Sequence, residues 1–191
     1  MGSGLVRRDK STRANIIIEY EHHEIHSGSH YTLSYAVASI GNLTTPTDIM
    51  SLSFTTPAAP VEVHMIFGAT SAGGARWRVI EGKTGGGGAG TGDLVVYNSN
   101  RQSTKTSGII SHHATPATGY LTYDNDLFTG GASIIDLIIG ASGLGNAVVG
   151  GSQRSSEFVL AAGTLYQTSL YLDAASPGSL SLSWYEHTSK A

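Results

Sequence analysis

Strict alternation of apolar and polar residues recurs at three widely separated places, and it restricts the fold of this chain more than any other feature. From His30 to Val37 the apolar positions are Tyr31, Leu33, Tyr35 and Val37, with His30, Thr32, Ser34 and Ala36 between them. Val61, Val63, Met65 and Phe67 repeat the pattern around Glu62 and His64, and Leu180, Leu182 and Trp184 alternate with Ser179, Ser181 and Ser183. A side-chain period of two belongs to a strand with one buried face. Three such strands, so far apart in the chain, predict one continuous sheet system. Further strands are expected, from β-branched and aromatic content, at Asn15 to Tyr20, Ile49 to Phe54, Trp77 to Glu81, Leu94 to Asn98, Thr104 to Ser111, Gly119 to Tyr123, Glu157 to Ala161 and Thr164 to Leu172. The run Ser133 to Gly140 suits a buried helix turn as well as a strand, and its isoleucines and flanking glycines favour the strand.

No amphipathic helical pattern competes with these segments, so the expected fold is all-β, a β-sandwich or jelly roll of roughly ten strands. The expected organisation is a flexible basic arm over residues 1–14, carrying Arg7, Arg8, Lys10 and Arg13, and a single sandwich domain over 15–191. The glycine-rich stretches Gly82 to Gly92 and Gly140 to Gly151 read as long loops. Tyr31, Tyr35, Trp77, Phe158, Tyr166 and Trp184 fall on the alternating faces where a core is expected.

Composition narrows the function classes. Only 13% of residues are charged, about half the usual share, which suits a chain that lies against other protein. A net charge of −3 argues against duplex nucleic acid or an anionic membrane as partner, since both need clustered Lys and Arg. The absence of cysteine removes disulfides, thiolate metal sites and thiol catalysis. No run of 18 apolar residues is present, and Met1 to Arg13 lacks the apolar stretch of a signal peptide.

The motifs that carry chemistry are weak. Gly85, Gly87 and Gly90 fit G-x-G-x-x-G, but a strand-like segment follows where a dinucleotide site needs a helix. Gly82, Lys83 and Thr84 imitate the end of a P-loop whose first glycine would fall at Trp77. No G-x-S-x-G elbow is present, and the sequon at Asn42 to Thr44 carries no weight without a secretory signal. The cluster Glu21, His22, His23, Glu24, His26 and His30 is the most provocative. On a strand, His22, Glu24 and His26 would share a face able to hold a transition metal, but surface or interface hydrogen bonding is the favoured reading. No catalytic residue, cofactor or metal is assigned.

Four segments in order resemble a known family. His23 to Tyr31, reading H-E-I-H-S-G-S-H-Y, is similar to the opening motif of a family of small tailed-bacteriophage virion proteins. Asn98 to Arg101 resembles its asparagine- and arginine-rich middle segment, Glu157 to Tyr166 its last strand pair, and Ser183 to Thr188, reading S-W-Y-E-H-T, its closing strand. Ser99 stands where the middle segment often has arginine. The resemblance spans residues 23 to 188. It implies a non-enzymatic capsid decoration, or cement, protein: a homotrimer on the outer surface of the virion head, bound to the major capsid protein, with neither nucleic acid nor membrane as partner. Assembly in the host cytoplasm follows from the same likeness. A tail or head-fibre module that binds host surface glycans is the alternative, and a metal-dependent enzyme using Glu21 to His30 is a distant third. Arg7, Arg8, Arg13, His26, Asn100 and Arg101 are the candidate capsid or partner contacts.

Overall fold

The computed structural model describes residues 7–8, 15–16, 20–40, 49–84, 92–113, 117–124, 129–139, 147–150, 157–172 and 176–188. In chain order the elements are β1 (Arg7–Arg8), β2 (Asn15–Ile16), α1 (Tyr20–Ser27), β3 (His30–Ile40), β4 (Ile49–Thr55), β5 (Val61–Ser71), β6 (Ala75–Glu81), β7 (Gly92–Val95), β8 (Tyr97–Asn98), β9 (Tyr120–Asp124), β10 (Ala132–Ile139), β11 (Ala147–Gly150), β12 (Glu157–Leu160), β13 (Leu165–Leu172) and β14 (Ser176–Thr188). The fold is an all-β sandwich of two antiparallel sheets. One runs β10-β6-β13-β4-β9-β7, and the other β11-β5-β14-β3-β8 with β12 also paired to β5.

The three strongest alternating segments are the adjacent strands β5, β14 and β3 at the centre of the second sheet. Register explains why their patterns agree. Leu182 lies opposite Leu33 on one side and Phe67 on the other, and Trp184 opposite Tyr31 and Met65. Apolar side chains therefore line up across three strands on one face, and all six are buried. The facing sheet contributes Leu52 and Phe54 from β4, Trp77 and Val79 from β6, and Tyr166 and Leu170 from β13 to the same core. Phe54 and Tyr166 stack at 5.8 Å between ring centroids. The Trp77 indole donates to Thr168 Oγ1 at 3.0 Å, so the largest core side chain buries no unpaired N–H. Tyr31, Trp77, Tyr166 and Trp184 are buried as expected, and Tyr35 and Phe158 pack against the core while partly exposed.

The centre of the first sheet is closed on both sides. Ser51, Ser53, Gln167 and Ser169 alternate with the core residues of β4 and β13, yet are themselves fully buried. Polar residues at period two thus mark the second face of these strands without marking exposure.

Several expected boundaries shift, each for a local reason. Leu94 to Asn98 is two strands rather than one, because the chain crosses between the sheets at Val96, whose N–H donates to Gly119 O at 3.0 Å. Thr104 to Ser111 is not a strand. Three of its backbone donors are taken by side chains, Lys105 N–H by Ser103 Oγ, Gly108 N–H by Glu186 Oε2 and Ile109 N–H by Ser107 Oγ, leaving isolated bridges from Ile110 to Thr55 and Thr118. Of the expected loop Gly140 to Gly151, Ala147–Gly150 is a strand, β11, paired with Gly68 to Ser71. Of the segment Asn15 to Tyr20, Asn15–Ile16 is strand, residues 17–19 lie outside the described residues, and Tyr20 opens a helix. The ambiguous Ser133 to Gly140 resolves as β10. Of the expected basic arm, Arg7–Arg8 pairs with Asn15–Ile16 in a ribbon apart from both sheets. Residues 1–6 and 9–14, the glycines at 85, 87 and 90, and the sequon at 42–44 lie outside the described residues.

Candidate docking surface

The cluster from Glu21 to Ser27 does not form the strand face that its composition allows. It is helical in α1, and a helix brings together residues four apart. His22 and His26 share the exposed face with Nε2 atoms 2.8 Å apart, while Glu24 turns inward and is buried. His22, Glu24 and His26 therefore do not converge on one ion. The single apolar residue of the stretch, Ile25, gives no period, which is why alternation could not locate the helix.

Gly28 stops α1. Its φ of +74° is the left-handed conformation that ends helices, its N–H donates to Ile25 O at 3.0 Å, and a Cβ there would stand 2.3 Å from Ser103 Oγ. Asn98 locks the same turn. Its Nδ2 donates to Gly28 O at 2.8 Å and to Lys105 O at 3.1 Å, and its Oδ1 accepts from Asn100 N–H at 2.9 Å. Asn100 Nδ2 then reaches His26 O at 3.2 Å, and the Arg101 guanidinium lies 5.1 Å from the centre of the exposed Tyr97 ring.

His30 ties this corner to the sheet. One ring nitrogen meets Ser99 Oγ at 2.6 Å and the other meets Ser183 Oγ at 3.2 Å. Beneath it, Glu186 accepts from the Trp184 indole at 3.0 Å, from Gly108 N–H at 2.8 Å and from the Ser107 hydroxyl. Tyr31 donates to Thr106 O at 3.1 Å, and burial followed by the Glu186 carboxylate pushes its phenol up to about 12, so it remains a donor. The first, second and fourth segments of the family resemblance thus meet at one corner. Of the six candidate contacts, His26, Asn100 and Arg101 share it. Arg7 and Arg8 belong to the separate ribbon, and Arg13 lies outside the described residues.

A second kind of surface was not singled out by sequence. Among the described residues the large apolar side chains exposed to solvent are Val95, Tyr97, Leu137, Ile138 and Val159, with Ile138 85% exposed. They lie on β7, β8, β10 and β12, each an outermost strand of its sheet, as is β11. On β10 the exposed pair adjoins a bidentate ion pair, Arg76 Nε and Nη2 each 2.7 Å from an Asp136 oxygen. That hydrogen bonding holds the Asp136 carboxyl below the usual carboxylate range. Apolar residues here follow no burial period, and being outermost is a property of pairing that no local pattern encodes. No family model matches the chain, and neither a curated protein nor a solved structure matches it.

Proposed function

We propose that this chain is a non-enzymatic virion structural protein, a decoration module that sits outside a bacteriophage head as a homotrimer and bridges subunits of the major capsid protein. The observation that carries the reading is that, among the described residues, the exposed large apolar side chains all lie on outermost strands. Such a strand has unpaired backbone donors and acceptors, and monomeric proteins usually blunt it with charge or proline. Here the carboxylates of these strands, Asp93, Asp136 and Glu157, are engaged by His113, Arg76 and His64, and Val95, Leu137, Ile138 and Val159 stay exposed beside them, which favours pairing or packing against another chain. The resemblance of residues 23 to 188 to a phage virion family supports the major capsid protein as the partner. A module of this kind stabilises a shell by binding its assembled form better than its loose subunits, and repetition over the lattice lets each contact be weak.

The test is co-sedimentation of the purified chain with expanded heads lacking it, beside unexpanded proheads. Saturable binding to expanded heads is expected, with a copy number divisible into threes. Absence of binding to both particles overturns the reading in favour of a tail or head-fibre module, which retention on host surface glycans would then establish.

A further inference from the structure

The outer face of the second sheet carries a side-chain cluster that the docking surfaces do not use. Glu62 and His64 alternate on β5, and Tyr185 and His187 alternate on β14. The register sets Tyr185 opposite His64 and His187 opposite Glu62, so these four side chains stand on one patch. Glu157 of β12 reaches it from the other flank of β5. His64 Nε2 and His187 Nε2 are 3.0 Å apart, and Glu62 Oε2 is 3.9 Å from the first and 3.8 Å from the second.

We propose that Glu62, His64 and His187 form a binding site for one divalent transition-metal ion of the zinc type. The point equidistant from three atoms so spaced lies about 2.1 Å from each, within the bond range of roughly 2.0–2.2 Å for zinc with imidazole and carboxylate ligands. Two imidazoles and a carboxylate suit zinc, and three protein ligands leave a position for water.

The surrounding contacts are those a ligand histidine needs. His64 Nδ1 lies 2.6 Å from Glu157 Oε1, so the carboxylate holds the ring proton on Nδ1 and leaves the Nε2 lone pair facing the other two ligands. The Tyr185 hydroxyl donates to the same Glu157 oxygen at 2.6 Å, and its ring stacks on His64 at 4.7 Å, fixing both the carboxylate and the imidazole plane. In the metal-free state His187 Nε2–H donates to His64 Nε2, and the ion replaces that proton. Glu157 and Tyr185 are positioning residues. The proposal stands on these distances and is independent of the virion reading.

The experiment is calorimetric titration of the untagged, chelator-treated full chain with Zn2+, repeated with Co2+ to read coordination from its visible absorption. One ion per chain is expected. His187→Ala and His64→Ala should each weaken Zn2+ binding by at least about 100-fold, and Glu157→Gln by about 10- to 100-fold, as loss of an outer carboxylate does. Circular dichroism would verify that each variant is folded, and Glu62→Gln provides a milder ligand change should either histidine variant unfold. The double variant H22A/H26A distinguishes the helical pair from the proposed site and should leave the stoichiometry intact. Failure of the wild type to bind Zn2+, or binding that survives His187→Ala and disappears in H22A/H26A, overturns the assignment.

Discussion

The corner around Gly28 and the outermost strand β10 both lie at the margin of the sandwich, and they are built in opposite ways. At the corner, short polar side chains bind backbone atoms: Asn98 alone engages Gly28, Asn100 and Lys105. On β10, Leu137 and Ile138 face solvent, and the polar contact beside them is a surface ion pair. The difference teaches where shape is held and where area is offered. A network that satisfies its own backbone gains order within the chain. Exposed leucine and isoleucine gain nothing until another surface covers them, at roughly 25 cal/mol per Å² of apolar area removed from water.

The comparison predicts unequal responses to substitution. The largest belongs to Trp184→Ala, which empties a buried site beneath the corner and removes the indole donor to Glu186. A loss of about 3–5 kcal/mol is expected by urea denaturation, the usual range for such a truncation in a core. A loss below about 1 kcal/mol would mean that the site collapses freely and that the corner is not anchored in the core. Asn98→Ala should follow at about 2–3 kcal/mol, because it leaves the buried carbonyl of Gly28 and that of Lys105 without their donor. Equal stability of Asn98→Ala and wild type would abolish the distinction between the two margins.

A third response concerns pH. His112, at the far end of the irregular segment that the corner anchors, meets Thr55 Oγ1, and burial lowers its pKa from the ordinary value. The folded chain therefore favours the neutral ring. Stability from this site is complete above an unfolded pKa of about 6.5 and falls as pH drops from there through the lower folded value. Urea midpoints taken from pH 7.5 down to 5 should decline, and His112→Gln should make that decline shallower. An unchanged slope in the variant would assign the acid sensitivity to other groups.

How much of this was legible in the sequence depended on whether a feature is local. Tyr31, Leu33, Val63, Met65, Phe67, Leu182 and Trp184 announced their strands because burial on one face repeats every second residue. The helix α1 was hidden, with two apolar residues, Tyr20 and Ile25, five positions apart and so at no helical spacing, and its stop signal, Gly28, explained only by Ser103 and Asn98 from a distant segment. The same holds for the imidazole patch. Glu62 with His64, and Tyr185 with His187, each read as an ordinary outward pair, and only the pairing of β5 with β14 brings together histidines 123 positions apart. The crossing at Val96 depends likewise on which sheet each half joins. Of the six candidate contacts, His26, Asn100 and Arg101 share the corner and Arg7 and Arg8 do not, and the apolar outermost strands bear no motif at all.

The smallest expected change in stability is the most informative about assembly. In Ile138→Asp a side chain already 85% exposed is replaced on a strand with a neighbour on one side only. Substitutions at such sites usually stay within about 0.5 kcal/mol, so the urea midpoint should hardly move. The new carboxylate would nevertheless lie on the same strand face as Asp136 and directly opposite Arg76, which Asp136 already engages, and any partner covering Ile138 would have to desolvate this added charge. Self-association in sedimentation velocity and binding to expanded heads should therefore both fall by at least about tenfold, a change of roughly 1.4 kcal/mol in binding. If Ile138→Asp retains wild-type assembly while a charge at Val95 or Val159 abolishes it, the docking strand is β7 or β12, and the apolar margin of β10 is a passive one. If none of the three alters assembly, the polar corner with His26, Asn100 and Arg101 becomes the contact, and the roles assigned to the two margins are exchanged.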